Sequence, residues 1–253
     1  MIDDRRAQRL RELRPFVARA RQMQGWTLAY QPAALGPPMP WDYVAWAQEL
    51  AARASRVLDL GTGGGEVFES ILAGFGGRAV ATESWAPNAR VAGGRLRTLG
   101  IAVAQADSLA LPFGADTFDL VLDRHEALSP AEVARVLRPG GRVLTQQVGS
   151  DYHHELREMF PRMTVFEQHE VTYPRGFETA GLGVLDMRRD ARSVAYRQLG
   201  HLVYFLAVAP WTIPDFDLEA DLDALLEVER QLSGPQGIVL SDPRYLLEAR
   251  KPG

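Results

Sequence analysis

The chain has 253 residues, 46% of them hydrophobic, with a formal net charge of −4. That composition lets it bury a sizeable core, and the acidic balance excludes a general nucleic-acid binder, which carries a basic excess. With no cysteine, disulfides, thiolate metal sites and cysteine nucleophiles are excluded as well.

No apolar run reaches the roughly 18–20 residues of a membrane span. The start, acidic and then arginine-rich, lacks the apolar core of a secretory signal, so a cytoplasmic protein is expected. Residues 4–24 read as a helix, with Leu10, Leu13, Val17 and Ala20 at helical spacing, and Pro15 predicts a kink or a split. Arg5, Arg6, Arg9, Arg11, Arg14, Arg19 and Arg21 crowd this segment. They read as the solvated face of an amphipathic helix, with contact to RNA or anionic lipid as the alternative. The proline-rich residues 31–40 cannot continue a helix, and a second helix is expected over 41–54.

From there strands and helices alternate. Strands are expected at 56–60, 79–83, 101–105, 118–123 and 142–147, with helices near 66–74, 87–98 and 130–137. Alternation with apolar strands implies a parallel sheet covered by helices on both faces. After Gly149 the rhythm changes: helices near 152–160 and 174–180, a strand at 183–188, an apolar helix at 198–208 and a charged helix at 217–233. The end reads as a hairpin-like pair, 237–240 and 244–250, turning at Ser241-Asp242-Pro243. Residues 1–54 are thus expected to form a helical cap, and 55–253 an α/β domain with a helical insertion at about 189–236. An insertion of that length beside a binding edge is expected to serve function. Its aromatic residues Tyr204, Phe205 and Trp211, with Trp41 and Tyr43, read either as a lid over a substrate or as core.

The stretch that carries chemistry is Val57-Leu58-Asp59-Leu60-Gly61-Thr62-Gly63-Gly64-Gly65-Glu66. A strand, a glycine-rich turn and a helix start together form a cradle for a nucleotide-type cofactor. No Gly-Lys-Ser/Thr follows, which excludes a phosphate-binding P-loop, and the third glycine of a dinucleotide fingerprint is replaced by Glu66. What fits is D-x-G-x-G-x-G, on Asp59, Gly61, Gly63 and Gly65. The second strand ends at Glu83, an acid placed to accept hydrogen bonds from both hydroxyls of a ribose. The third ends at Ala106-Asp107-Ser108, the fourth runs into Arg124-His125-Glu126, and the fifth follows Leu137-Arg138-Pro139-Gly140-Gly141.

Over roughly residues 55–148, these motifs resemble the class I S-adenosylmethionine-dependent methyltransferases of the small-molecule type. The resemblance implies a doubly wound, mostly parallel seven-stranded Rossmann-like sheet whose last strand is antiparallel, with S-adenosylmethionine as cofactor. Carried over by position, Asp59, Gly61 and Gly63 would border the methionine part. Glu83 would hold the ribose, Ser84 or Trp85 would flank adenine, and Asp107 with Ser108 would contact its polar edge. Thr62 and Arg124 complete the expected cofactor set. His125 leaves the carboxyl end of the fourth strand, where substrate meets cofactor, and is the candidate general base with Glu126 orienting it. Its alternative role is a hydrogen bond to cofactor or loop. His153, His154, His169 and His201 read as surface or packing residues, and no metal spacing is present. The expected activity is methyl transfer to a small organic acceptor. An RNA or protein acceptor, and a non-catalytic S-adenosylmethionine-binding protein, are the alternatives.

Overall fold

The computed structural model describes residues 2–253. Helix α1 (Ile2–Ala20) runs through Pro15 without the expected break. Pro15 lies on the exposed side, where the Arg11 carbonyl it leaves without a donor can meet water. A short strand β1 (Ala33–Leu35), within the proline-rich stretch, precedes helix α2 (Tyr43–Ala51), whose N-terminus is capped by the Asp42 side chain. The alternating elements follow as β2 (Arg56–Leu60), α3 (Glu66–Ile71), β3 (Arg78–Thr82), α4 (Ala86–Leu96), β4 (Ala102–Ala104), β5 (Phe118–Arg124), α5 (Pro130–Val136) and β6 (Leu137–Val148). Beyond them lie α6 (His169–Thr179), β7 (Gly183–Asp190), β8 (Ser193–Tyr196), α7 (Leu199–Val208), α8 (Leu222–Leu232), β9 (Ser233–Gly234), β10 (Gly237–Ser241) and β11 (Arg244–Arg250). The helix expected over 152–160 shrinks to a single 3-10 turn at His154–Arg157.

The large sheet has the order β4-β3-β2-β5-β6-β11-β7. All pairings on the β4 side through β6 are parallel, whereas β11 runs antiparallel to both β6 and β7. One face is covered by α2, α3 and α4, through Ala47, Ala51, Phe68, Ile71, Ala92 and Leu96. The other is covered by α5 and α6, through Val133, Val136, Tyr173 and Phe177. Helices thus cover both faces, as the alternation implied, and the sheet is the doubly wound, seven-stranded one that the resemblance implied.

β10 and β11 do not form the expected hairpin. β10 pairs with β8 in a second, four-stranded sheet of order β1-β8-β10-β9, while β11 stays in the large sheet. The chain therefore leaves the large sheet between β7 and β8 and re-enters it between β10 and β11. The crossings lie side by side, because the Asp242 amide donates to the Arg192 carbonyl at 2.8 Å. Pro243, without an N–H, cannot extend the β10 ladder past that point. The expected helical insertion thus carries strands of its own.

Helix α1 packs on this inserted lobe rather than on the large sheet. Leu13 joins Leu199, Leu202, Leu222, Leu225 and Val228 in one buried cluster. The Phe16 ring lies against Gly200 where any β-carbon would stand. Three of the arginines meet acids of the lobe: Arg6 with Asp223, Arg9 with Glu229 at 2.6 Å, and Arg14 with Glu219 at 3.0 Å. Among the described residues, no helix is long and apolar enough to cross a membrane.

Candidate active site

Because β2, β3, β4 and β5 are mutually parallel, their carboxyl ends share one edge of the sheet. That edge gathers every sequence-predicted site residue: the turn after Leu60, Glu83 and Ser84 after β3, Asp107 and Ser108 after β4, and Arg124, His125 and Glu126 at the end of β5. In the turn, Gly61 and Gly63 adopt φ of 56° and 61°, a left-handed conformation open to glycine at little cost.

Glu83 is buried and organises the turn from below. Its Oε2 accepts from the Gly63 amide and its Oε1 from the Trp85 amide, both at 2.8 Å. Each oxygen keeps a lone pair for a further donor. Trp85 is 54% exposed, so its ring is not core. Ser84 is exposed and Ser108 buried. Asp107 accepts from the Leu109 amide at 2.8 Å through Oδ1 and is itself exposed.

Asp59 lies beneath the turn. Burial pushes its carboxyl up to about 7, with Thr62 and Arg124 pulling down and Glu83 pushing up. Arg95 holds the turn from the side, donating from Nε to the Gly64 carbonyl at 2.9 Å.

Two side chains lie on the glycines from above. Glu126 occupies the space beside Gly61 that a β-carbon would fill, and Trp26 does the same at Gly63. Trp26 in turn meets Trp211 of the inserted lobe edge-on, with ring centroids 5.5 Å apart. The segment that joins α1 to α2 is thus a strap across the glycine turn.

At the β5 end, His125 has a φ of 67°, unusual for a residue with a β-carbon. Its amide donates to the Gln146 carbonyl at 2.9 Å. Its Nε2 lies 3.3 Å from Gln146 Nε2 and 3.4 Å from an Arg244 Nη. The Gln146 amide orientation is set by Trp41, which donates to Oε1 at 2.7 Å. Both neighbours of the imidazole nitrogen can only donate, so Nε2 is the acceptor and Nδ1 carries the proton. Desolvation by the crowded surroundings, then the Arg244 and Arg124 charges, hold the imidazole well below its ordinary pKa. Arg124 and His125 are nonetheless exposed to solvent.

The loop after β5 is also held from the other face. Gln147 donates to the Glu126 carbonyl at 2.7 Å and to Asp123, whose carboxyl burial drives well above its ordinary value. Glu126 is raised too, by burial and then by Glu83 and Asp107.

The sequence reading missed Arg244, Gln146, Gln147, Asp123 and Trp26. The polar pair Gln146-Gln147 at the end of an apolar strand was a usable signal, whereas nothing local marks Trp26 or Arg244. Among the described residues no histidine or acid cluster could hold a metal ion.

With this geometry in place, residues 57–144 match the family model described as a methyltransferase domain. The fold is similar to a candidate methyltransferase from Bacillus halodurans, at 19% identity over 83% of this chain and 99% of that one, with a TM-score of 0.61. It is also similar to the YcgJ protein from Bacillus subtilis, at 18% identity over 83% and 98%, with a TM-score of 0.63. A third likeness is to the 4+2 cyclase SpnF, at 17% identity over 97% and 94%, with a TM-score of 0.58. No curated protein matches the chain in sequence. Residues 57–144 thus carry a methyltransferase domain, set in a fold that the chain shares with these neighbours.

Proposed function

We propose that this protein transfers a methyl group from S-adenosylmethionine to a small organic acceptor bound over the ends of β5 and β6. The observation that carries the reading is Glu83. It is buried, already holds the turn through two amides, and has a lone pair left on each oxygen for a vicinal diol. Asp59, Gly61, Thr62 and Gly63 would border the methionine part. Ser84 and the exposed Trp85 would flank adenine, and Asp107 with Ser108 would face its polar edge. The glycine cradle fits such a cofactor once Trp26 and Glu126 give way or lie over it.

When bound, the cofactor supplies a sulfonium-activated methyl group. The chain's own part is then to align the acceptor and exclude water, and alignment alone is worth several kcal/mol of barrier. An OH or NH acceptor also loses a proton, and His125 would take it, with Glu126 beside it. Doing so requires the Nε2 lone pair to be released from Arg244 and Gln146. A small acceptor is favoured over RNA because Arg6, Arg9 and Arg14 are engaged with acids of the inserted lobe. Calorimetry with S-adenosylmethionine, S-adenosylhomocysteine and NAD, followed by a methyl-transfer screen on small molecules and RNA, tests the reading. NAD binding without adenosylmethionine binding would overturn it, and transfer only to RNA would overturn the acceptor class.

A further inference from the structure

Arg124 stands exposed at the end of β5 and makes no side-chain hydrogen bond or ion pair among the described residues. Desolvation lowers its pKa, and repulsion by Arg244 adds to this. Arg244 stands at the start of β11, across β6 from the end of β5. It is clamped by Asp242 through Nε at 3.2 Å and Nη2, lies 5.7 Å from the Tyr152 ring centroid, and touches His125 with its remaining Nη. Two of its N–H groups are left without a partner in that arrangement.

Two guanidiniums that repel each other beside a neutral imidazole form a costly arrangement unless something negative comes between them. The acids nearby do not fill that place. Asp242 is spent on the far side of Arg244, and Asp59 is half-protonated near neutrality. Guanidinium forks match the paired oxygens of a carboxylate or phosphate, in geometry as well as charge.

We infer that Arg124 and Arg244, at the ends of β5 and β11 on either side of β6, together recognise an oxyanion group, carboxylate or phosphate, on the methyl acceptor. The inference rests on the methyltransferase reading above and deepens it. Arg124 is the binding group, Arg244 the second wall, and Tyr152 the aromatic side against which a ring of the acceptor would lie. His125 Nε2 would lose Arg244 as donor when the anion arrives.

The test uses the full chain saturated with S-adenosylhomocysteine, so that cofactor and acceptor sites are read separately. Benzoate, phenyl phosphate and the neutral benzamide are titrated by calorimetry, with the ring nitrogen resonances of His125 followed by NMR. Benzoate or phenyl phosphate should bind and shift the His125 resonances, and benzamide should do neither; which anion binds tighter separates the two sources of the charge. Arg124→Gln, which breaks no hydrogen bond of the fold, should weaken the anion about tenfold or more, the loss of a charge-assisted contact. Equal binding of benzamide, or no anion binding to protein that does bind S-adenosylhomocysteine, would overturn the inference while leaving the methyltransferase reading intact. Failure to bind S-adenosylhomocysteine would instead count against that reading. If Arg124→Gln loses cofactor affinity and keeps the anion response, Arg124 serves the cofactor and the inference falls.

Discussion

Replacing Glu83 with alanine separates a structural from a ligand-binding role for this buried acid. In the free protein the change strips acceptors from the Gly63 and Trp85 amides, each held at 2.8 Å. Hydrogen bonds to a charged group are worth about 1.5–3 kcal/mol each, so two lost contacts predict a free protein less stable by about 3–6 kcal/mol before relaxation or water. At about 2–4 °C per kcal/mol for a domain of this size, the melting temperature should fall by roughly 6–24 °C. The ligand-binding role appears in a second measurement. S-adenosylhomocysteine at about one hundred times its dissociation constant stabilises the parent by about 2.7 kcal/mol. If the ribose contributes about 1.5–3 kcal/mol through Glu83, affinity drops roughly 10- to 150-fold. The same ligand concentration then stabilises the variant by about 1.4 kcal/mol or less. Differential scanning fluorimetry with and without ligand reads both numbers. A variant that melts lower but keeps the parent's full ligand-induced shift would refute the ribose assignment and leave Glu83 as a strut of the turn.

Three further outcomes follow from the titrating groups. With Asp59 near 7, its charged fraction rises about tenfold between pH 6 and 8. S-adenosylhomocysteine affinity should climb by up to that factor in the parent and stay flat in Asp59→Asn, as calorimetry at both pH values would show. His125 is held well below 6.5, so the imidazole is already neutral at pH 6. Turnover should therefore not rise with a midpoint near 6.5, and a pH–rate profile with that midpoint would contradict the Arg244–His125–Gln146 arrangement. His153 is fully buried and, by burial and then Arg244, pushed down to about 3. The unfolded chain takes up a proton near 6.5 that the fold refuses, so stability present at pH 7 is lost as pH falls. Between pH 7 and 5 this group alone should cost about 2 kcal/mol. Urea midpoints at the two pH values should show that loss in the parent and a correspondingly smaller one in His153→Gln.

The glycine turn, Glu83 and Asp107 were readable from the chain because each is defined by its immediate neighbours. A strand end, a turn residue and a helix start follow one another in sequence, so local chemistry announces them. The parallel sheet was readable for the same reason, from the rhythm of apolar strands and helices. Arg244 was not, because it reaches His125 only through the pairing of β11 with β6, 119 residues apart along the chain. Trp26 lies in a segment with no periodic pattern, and its place over Gly63 is decided by where α1 docks on α7. Pro15 misled because the rule against proline inside helices yields when the freed carbonyl faces water and the opposite side is packed. The expected hairpin failed at Asp242-Pro243. Two adjacent strands look like partners in sequence, although each finds its neighbours in a different sheet.

The two crossings between sheets, at Arg192 and Asp242, set how this molecule can open. A lobe on a single tether swings as a jaw does. This lobe is joined by two strands held to each other and by a third link, residues 36–42 between β1 and α2, and α1 is bolted to its outer side by apolar packing and ion pairs. Such a double ribbon resists bending across its width, so the lobe and the sheet behave as one frame. Passage to the glycine turn then falls to the short stretch between α1 and β1, where Trp26 rests on Gly63. The molecule would admit its ligand as a letterbox does, by a narrow flap in a fixed wall.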